Sequence, residues 1–222
     1  MFAFKTAITF INMSLLPHFK QSLPEILDAK GIHGDRRRTL LDIASFIEKR
    51  IQAGKVAEVV FVCTHNSRRS QMAQAWCAAL AEHYGIRLKA YSTGTEKTEV
   101  KIPVIYCLQD AGFEVEEERS EGESRFHLTY GSDRESVSLW SKKLDDPSLP
   151  QSGFLAVMVC TDADEACPNI DGAGYRISLP FEDPRHADGT DNEAAAYEKV
   201  SKEIAKSLSV VFQAVKQQVK RP

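Results

Sequence analysis

The sequence predicts an α/β protein in which a doubly wound parallel sheet is covered by flanking helices. Short continuous apolar runs, typical of buried parallel strands, lie at residues 59–62 and 154–159, and further strands are predicted at 88–92 and at the third short run, 175–179. Stretches with apolar residues at helical spacing lie between these strands and after the last one. Because strands alternate with helices, the strands run parallel, and ligands are expected beyond their carboxyl ends.

Each predicted helix follows from its own pattern. The first helix of the core has Met72, Ala73, Trp76 and Leu80 on one face, and a second helix around 103–111 is ended by Gly112. The turn between them is predicted at Thr93-Gly94. Residues 114–151 are rich in charge and serine and are predicted to be an insertion with weak periodicity. The final helix carries an apolar stripe of Val200, Ile204, Leu208, Val211 and Val215.

The first 54 residues differ in character from the rest and are predicted to be a helical extension of a catalytic domain at 55–222. Leu40, Ala44, Ile47 and Ile51 recur at helical spacing, with Asp35 as the expected cap and Gly54 as the expected stop. The basic run at 36–38 is interpreted as a solvated helix face. No catalytic residue is visible here, so we interpret the extension as a packing or homodimerisation element.

The opening segment has a single early lysine and no small-residue cleavage pattern, so a signal peptide is a minority interpretation. An ordinary N-terminal helix, or a native start at Met13 rather than Met1, explains it as well.

Composition limits the classes of function. The chain has 222 residues, 43% of them hydrophobic, which fits one domain with an extension. A net charge of −3 gives no general case for nucleic-acid binding, and no stretch is apolar enough to predict a membrane span. Five cysteines, an odd number, do not resemble an extracellular disulfide framework. A reducing compartment, the cytoplasm, is therefore expected.

A cysteine and an arginine flank the end of the first core strand. Cys63 ends the strand, Arg69 follows six residues later, and a helix comes after it. Backbone N–H groups of residues 64–69 can curl around a tetrahedral anion at the positive end of that helix. Arg69 can grip two anion oxygens as a planar fork, which a lysine could not do. The sequence therefore predicts an oxyanion-binding loop with Cys63 as its nucleophile.

The other residues of the loop are predicted to support the anion and the sulfur. Ser70 can donate a hydrogen bond to Cys63, Asn66 can fix the loop, and Arg68 adds positive charge. The same field is expected to lower the pKa of the Cys63 thiol. A structural cysteine followed by surface charges is the alternative, and it would suit a bare C-x5-R pattern. The predicted substrate-binding residues are Thr64, His65, Asn66, Ser67, Arg68 and Ser70.

Two further motifs accompany this loop, the turn Ser92-Thr93-Gly94-Thr95 and the run Glu182-Asp183-Pro184 before the last helix. With the loop and the following Gln71-Met72-Ala73, they resemble the low-molecular-weight tyrosine phosphatase superfamily, and within it the thioredoxin-coupled arsenate reductases. The resemblance covers roughly residues 57–215 outside the insertion. It implies a low-molecular-weight phosphatase-like fold, with Asp183 as the general acid that protonates the leaving oxygen. An ordinary Asp-Pro turn is the alternative for Asp183.

The chain also departs from the family's pattern. His65 stands where the family usually has glycine, and Arg68 where it usually has a second cysteine. Tyrosine phosphatases carry aromatic residues that sandwich the substrate ring, and this chain has Arg185 and Glu96-Lys97-Thr98 instead. The missing stacking partners weaken the case for an aryl phosphate and suit a small inorganic anion.

A fourth motif holds Cys160 and Cys167, separated by six residues, and resembles the redox segment of the arsenate reductases. A metal site is disfavoured because the spacing is not C-x2-C and no histidine lies nearby. Two packing cysteines are the alternative, although Cys167 stands in a polar turn. Cys77 and Cys107 are interpreted as packing residues.

These observations give a leading function and two alternatives. The resemblance implies arsenate reduction, with Cys63, Arg69 and Asp183 acting on the oxyanion and Cys160 and Cys167 relaying electrons. No metal and no tightly bound cofactor are expected, whereas a thioredoxin-like protein is the expected reductant and partner. The alternatives are a phosphomonoesterase acting on phosphotyrosine and a non-catalytic oxyanion or arsenic sensor.

Overall fold

The computed structural model describes residues 15–28, 30–120, 122–131 and 136–219. The helices are α1 (Pro17–Leu27), α2 (Gly34–Gln52), α3 (Arg69–Tyr84), α4 (Ile102–Asp110), α5 (Thr161–Ala166) and α6 (Glu193–Val219), and a 3₁₀ helix spans Pro184–Ala187. The strands are β1 (Ala57–Cys63), β2 (Leu88–Gly94), β3 (Glu114–Ser120), β4 (Glu123–Thr129), β5 (Ser136–Leu139), β6 (Phe154–Met158) and β7 (Ala173–Ser178). Within these ranges no helix is long and apolar enough to cross a bilayer. Met1, Met13 and most of the opening apolar segment lie outside the described residues.

Four parallel strands form the main sheet in the order β2-β1-β6-β7. The predicted parallel sheet with flanking helices is therefore confirmed, and every predicted core strand lies in it. The apolar stripe of α6 is buried, as its spacing predicted. Neighbouring strands β1 and β6 end side by side, so the residues that follow them meet at one edge of the sheet.

The predicted turn at Thr93-Gly94 is wrong, because β2 continues through both residues in register with Val62 and Cys63. Gly94 is needed there for its lack of a side chain. A Cβ on Gly94 would lie 2.6 Å from the carbonyl oxygen of Thr64 and 2.7 Å from the backbone nitrogen of Asn66. The glycine thus lets β2 lie directly against the predicted anion loop.

The insertion contains three antiparallel strands, ordered β3-β4-β5, which the sequence did not reveal. Strand β3 is charged and exposed along nearly its whole length, so no alternation marks it. Strand β4 does alternate, since Phe126 and Leu128 are buried while their neighbours are not. The alternation of β4 is present in the sequence, but the charged residues around it made the strand hard to recognise.

The N-terminal helices share the hydrophobic core of the sheet. Phe19 of α1 is buried and packs against Trp76 and Phe113, with ring centroids 5.4 and 5.0 Å away. The hydroxyl of Ser209 and the amide of Gln213, both on α6, donate to the last carbonyl oxygens of α1. The packing function predicted for the extension fits this arrangement, whereas its dimerisation and the domain division at residue 54 stay predictions.

The start of α2 differs in detail from the prediction. Asp35 lies inside the first turn, and His33 is the N-cap residue without a side-chain hydrogen bond, so the predicted Asp35 cap is wrong. Gly54 follows the helix with a φ of +68°, the left-handed conformation expected of a stop. In the basic run, Arg37 and Arg38 are exposed, whereas the guanidinium of Arg36 lies 4.6 Å from the ring centre of Phe181.

Candidate active site

The loop between β1 and α3 encloses the sulfur of Cys63. Cys63 is the last residue of β1 and is buried, and α3 begins at Arg69. Its sulfur lies 3.0 Å from the hydroxyl oxygen of Ser70 and accepts the backbone N–H of Asn66 at 3.1 Å. The predicted Ser70 contact is thus present in the structure. The sulfur faces the positive N-terminal end of α3, a sixteen-residue helix.

Asn66 is the residue that fixes the loop. Its φ of +47° lies in the left-handed region, which asparagine tolerates better than most residues. Its side-chain amide donates to Ser70 at 2.9 Å and accepts the backbone N–H of Lys142 at 2.8 Å. Gln71 donates to the carbonyl oxygen of Asn66 at 2.8 Å. His65 occupies the position where the family usually has glycine. The left-handed backbone conformation is adopted by Asn66 and not by His65.

Two opposing influences act on the Cys63 thiol. Burial raises its pKa, and the neighbouring Cys160 acts in the same direction. Hydrogen bonds from Ser70 and from the backbone N–H groups of Ser70 and Asn66 lower the pKa. Burial is the larger influence, so the pKa lies above the ordinary value, contrary to the expectation of a lowered pKa. The hydrogen bonds at the sulfur therefore matter because they offset a cost that burial imposes.

Arg69 and Asp183, predicted to share the anion, form an ion pair with each other. The Nη2 atom of Arg69 lies 2.6 Å from a carboxylate oxygen of Asp183, and Nη1 donates to the carbonyl oxygen of Phe181 at 3.0 Å. The other carboxylate oxygen of Asp183 accepts the backbone N–H of Arg185 at 3.0 Å. The structure therefore brings the two residues together. A hydrogen bond to a charged group contributes about 1.5–3 kcal/mol, which an incoming anion has to replace at Arg69.

Arg68 contacts residues that the sequence reasoning missed. The guanidinium donates to the Tyr197 hydroxyl at 2.6 Å and pairs with the carboxylate of Asp188, and that hydroxyl donates to Asp188 at 2.7 Å. Asp188 directly follows the 3₁₀ helix that begins after Asp183. Arg68 thus connects the loop of Cys63 to the segment of the predicted acid. An anion bound by Arg68, as predicted, would have to compete with Asp188 and Tyr197 for its guanidinium. No local sequence signal pointed to either of these two residues.

The inserted segment also holds the loop in place. Trp140 accepts a hydrogen bond from Gln71 through its carbonyl oxygen, and the Ser141 hydroxyl donates to the carbonyl oxygen of His65 at 3.1 Å. Lys142 is buried, with its ammonium nitrogen 3.7 Å from the ring centre of Trp140, and burial lowers its pKa to about 7. The contacts of Trp140 and Ser141 with the loop were not predicted, because their partners Gln71 and His65 are 69 and 76 positions away in sequence.

A polar cavity of about 380 Å³ lies beside the loop and is lined in part by the loop residues His65, Ser67 and Arg68. Its lining is mostly cationic and polar and includes no phenylalanine, tyrosine or tryptophan, in keeping with the stacking partners missing from the sequence. At its rim, His65 lies 3.4 Å from the carboxylate of Glu96. The lining residues are His65, Ser67, Arg68, Thr98, Glu99, Lys101 and Arg185.

Cys160 follows β6 and lies beside the loop. It is buried, its sulfur is 3.5 Å from the hydroxyl oxygen of Thr64, and it accepts the backbone N–H of Ala163 at 3.4 Å. Cys167 is half-buried at the other end of α5. The five cysteines are free thiols. Cys160 is thus brought to the site of Cys63, whereas Cys167 is held one short helix away.

The remaining cysteines are packing residues in this structure. Cys77 and Cys107 are buried, and burial raises the pKa of both thiols, that of Cys107 to about 12. Across the described ranges, no group of three or more histidine, cysteine, aspartate or glutamate side chains is arranged to hold a metal ion.

The chain is similar to known proteins in sequence and in fold. Residues 58–130 match the family model of low molecular weight phosphotyrosine protein phosphatase. The arsenate reductase of Bacillus licheniformis is 27% identical over 151 residues, which cover 68% of this chain and 91% of that protein. The arsenate reductase of Halalkalibacterium halodurans is 28% identical over the same shares. The solution structure of a low molecular weight protein tyrosine phosphatase from Bacillus subtilis covers 73% of this chain and 99% of its own, with a TM-score of 0.50 and 16% identity.

These similarities confirm the resemblance predicted from the motifs. The solved structure supports the fold, and the family model and the curated relatives support the predicted class of protein. Both kinds of relative are enzymes, which agrees with the prediction that this chain is one.

Proposed function

We propose that this chain is an arsenate reductase that uses Cys63 as its nucleophile and relays electrons through Cys160 and Cys167. The catalytic unit is residues 55–222, and residues 1–54 form an N-terminal extension whose described part holds α1 and α2. The proposal places the protein in the cytoplasm, where a thioredoxin-like dithiol protein regenerates it. No metal or tightly bound cofactor is required.

In the first step, arsenate enters the loop and replaces Asp183 as the partner of Arg69. The backbone N–H groups of residues 64–69 and the Arg69 fork hold the anion's charge. The Cys63 thiolate then attacks arsenic(V), and a sulfur–arsenic bond forms. An oxygen leaves as water after Asp183 donates a proton to it. The ion pair between Arg69 and Asp183 keeps both side chains beside the loop for this exchange.

In the second step, the Cys160 thiolate attacks the sulfur of Cys63. A 63–160 disulfide forms, and the sulfur–arsenic bond breaks with its electron pair going to arsenic, which leaves as arsenite. Two thiols are oxidised while arsenic(V) is reduced to arsenic(III), so the electrons balance. Cys167 then attacks Cys160, which leaves a 160–167 disulfide for the dithiol partner.

The observation that carries the proposal is the position of Cys160. Its sulfur lies 3.5 Å from the hydroxyl oxygen of Thr64, the residue that follows Cys63. A third free thiol, that of Cys167, stands at the far end of α5. Hydrolysis of a phosphocysteine uses water and needs neither sulfur. The similarity to curated arsenate reductases over 68% of this chain points the same way.

A phosphomonoesterase is the second candidate, because the cavity of about 380 Å³ beside the loop could hold the organic part of a phosphate ester, which an inorganic anion lacks. The same nucleophile and acid would serve it through a phosphocysteine. The third candidate, a non-catalytic oxyanion or arsenic sensor that signals through its extension, is excluded by turnover of any substrate.

The test compares two rates for the same preparation, arsenate reduction and hydrolysis of an aryl phosphate, with thioredoxin and its reductase present. We expect arsenate reduction to depend on thioredoxin and to exceed hydrolysis. Hydrolysis that exceeds arsenate reduction, or arsenate reduction that does not occur at all, would reject the proposal in favour of the phosphatase.

A further inference from the structure

We infer that Arg176, on strand β7, is a positioning residue that holds the redox segment, residues 160–167, in its reduced conformation. The inference rests on the proposed relay between the two cysteines of that segment. Arg176 lies outside the loop of Cys63 and outside the motifs that carry the family resemblance, within the strand predicted at 175–179.

The Arg176 guanidinium makes hydrogen bonds to three acceptors in the redox segment. Its Nε donates to the carbonyl oxygen of Cys167 at 3.1 Å. Its Nη2 donates to the carbonyl oxygen of Asp164 at 2.7 Å and also contacts the Asp164 carboxylate. Both partners of this ion pair are about three-quarters buried, with 24% of each side chain exposed, which limits screening by solvent.

The sequence explains why α5 needs this arginine. The last carbonyl groups of a helix have no partner inside the helix. For Asp164 the helical partner would be the backbone N–H of residue 168, which is proline and has none. Arg176 supplies the missing donor and acts as a side-chain cap for the end of α5.

The 160–167 disulfide is incompatible with an intact α5. Cys160 and Cys167 are the two cap residues of this helix. A rise of about 1.5 Å per residue separates their Cα atoms by about 10 Å, whereas a disulfide requires about 7 Å or less. The helix therefore has to unwind before Cys167 reaches Cys160, and the contacts of Arg176 with helical α5 have to break.

Arg176 itself stands on a fixed element. It lies within β7, in register with Ala156 of β6, so its backbone is anchored in the main sheet. Its contacts therefore stabilise the reduced form with helical α5 and are lost in the disulfide form. Removal of the arginine should favour the disulfide.

The chemical step concerned exchanges one disulfide for another. The Cys167 thiolate attacks the sulfur of Cys160 in the 63–160 disulfide, the 160–167 bond forms, and Cys63 leaves as a thiolate. No external oxidant or reductant takes part in this exchange, and no electrons are gained or lost by the protein. The barrier that Arg176 adds is conformational.

The experiment measures the equilibrium between the 160–167 dithiol and its disulfide in buffers of reduced and oxidised dithiothreitol. All variants carry Cys63→Ser, so that Cys160 and Cys167 are the only relay cysteines left to form a disulfide. Alkylation followed by mass spectrometry measures the oxidised fraction. We expect Arg176→Ala to shift the equilibrium about 3- to 10-fold toward the disulfide, in keeping with the loss of one or two hydrogen bonds. Asp164→Ala, which keeps the arginine, should shift it less and in the same direction.

Arg119→Ala is the matched control, because Arg119 pairs with Glu117 on the exposed face of β3 and does not touch α5. It should leave the equilibrium unchanged. If Arg176→Ala does not fold, the sign of the Asp164→Ala shift decides the question. An unchanged equilibrium in the Arg176 and Asp164 variants, or a shift toward the dithiol, overturns the inference while the proposed relay stands. A parent protein that never forms the disulfide overturns both.

Discussion

The two cysteine-bearing segments at the carboxyl ends of β1 and β6 are held in different ways. The loop from Cys63 to Ser70 is fixed from several directions, since Asn66 alone bonds to Cys63, Ser70, Gln71 and Lys142. The redox segment is one short helix, held to the sheet by Arg176. Both segments follow neighbouring parallel strands, so their difference comes from the contacts around them and not from their place in the fold.

This difference in anchoring agrees with the function proposed for each segment, anion binding for the loop and disulfide exchange for the redox segment. A site that stabilises developing charge gains from donors that are already in place before the reaction. A cysteine that accepts a disulfide and passes it on has to move between partners. Tight anchoring favours the first task and would prevent the second. The predictions below test this division between a fixed loop and a rearranging segment.

The largest effect is expected at Cys63. Cys63→Ser should abolish all turnover, because no other sulfur lies within the loop, and it should leave binding of inorganic phosphate or arsenate largely intact, because the N–H groups and Arg69 remain. Enzyme assays and calorimetric titration with phosphate measure the two properties. Retained turnover would show that Cys63 is not the nucleophile, and anion binding lost together with activity would show that the loop is not independently fixed.

Replacement of Cys160 or Cys167 by serine should eliminate multiple-turnover arsenate reduction and leave any phosphatase activity within a few-fold. The Cys160 variant should stall with arsenic bound to Cys63, and the Cys167 variant should stall as a 63–160 disulfide after releasing one arsenite. Mass spectrometry after a single turnover distinguishes these species. Arsenate reduction at the parent rate in both variants would remove the need for a rearranging segment.

Asp183→Asn should lower turnover by about 10²–10⁴-fold, the usual range for a positioned proton donor. The loss should be smaller for aryl phosphates with good leaving groups, which need less protonation. Steady-state rates across a series of leaving groups measure this. An equal loss for every leaving group would mean that Asp183 serves only to hold Arg69.

The smallest effect is expected at Ser70. Its hydrogen bond lowers the pKa of Cys63, so Ser70→Ala should raise that pKa further and move the thiolate's appearance to higher pH. Loss of one hydrogen bond to a charged group, about 1.5 kcal/mol at the lower end of its range, corresponds to about one pH unit. The rate of Cys63 alkylation by iodoacetamide at pH 7 should fall about tenfold. Ser148→Ala, at an exposed turn, is the control, and a curve that moves to lower pH would contradict the prediction.

The parts of the site that could be predicted are those encoded locally. Cys63, Arg69 and Ser70 lie within eight residues, and the apolar run before them marks the strand. Arg68 could be predicted as a charge near the anion, but its partners Asp188 and Tyr197 are 120 and 129 positions away. Arg176 could not be predicted to contact α5, because its role depends on the register of β7 against β6.

The exposed strand β3 has a consequence for how the molecule behaves in concentrated solution. It forms one edge of its sheet, and an edge strand offers unpaired backbone groups on which another chain can assemble. Glutamates at 114, 116, 117 and 118 would place like charges opposite each other if two such edges met. The charges that hide this strand in the sequence thus protect the protein against edge-to-edge aggregation, and the protection should weaken in acid as the carboxylates are neutralised.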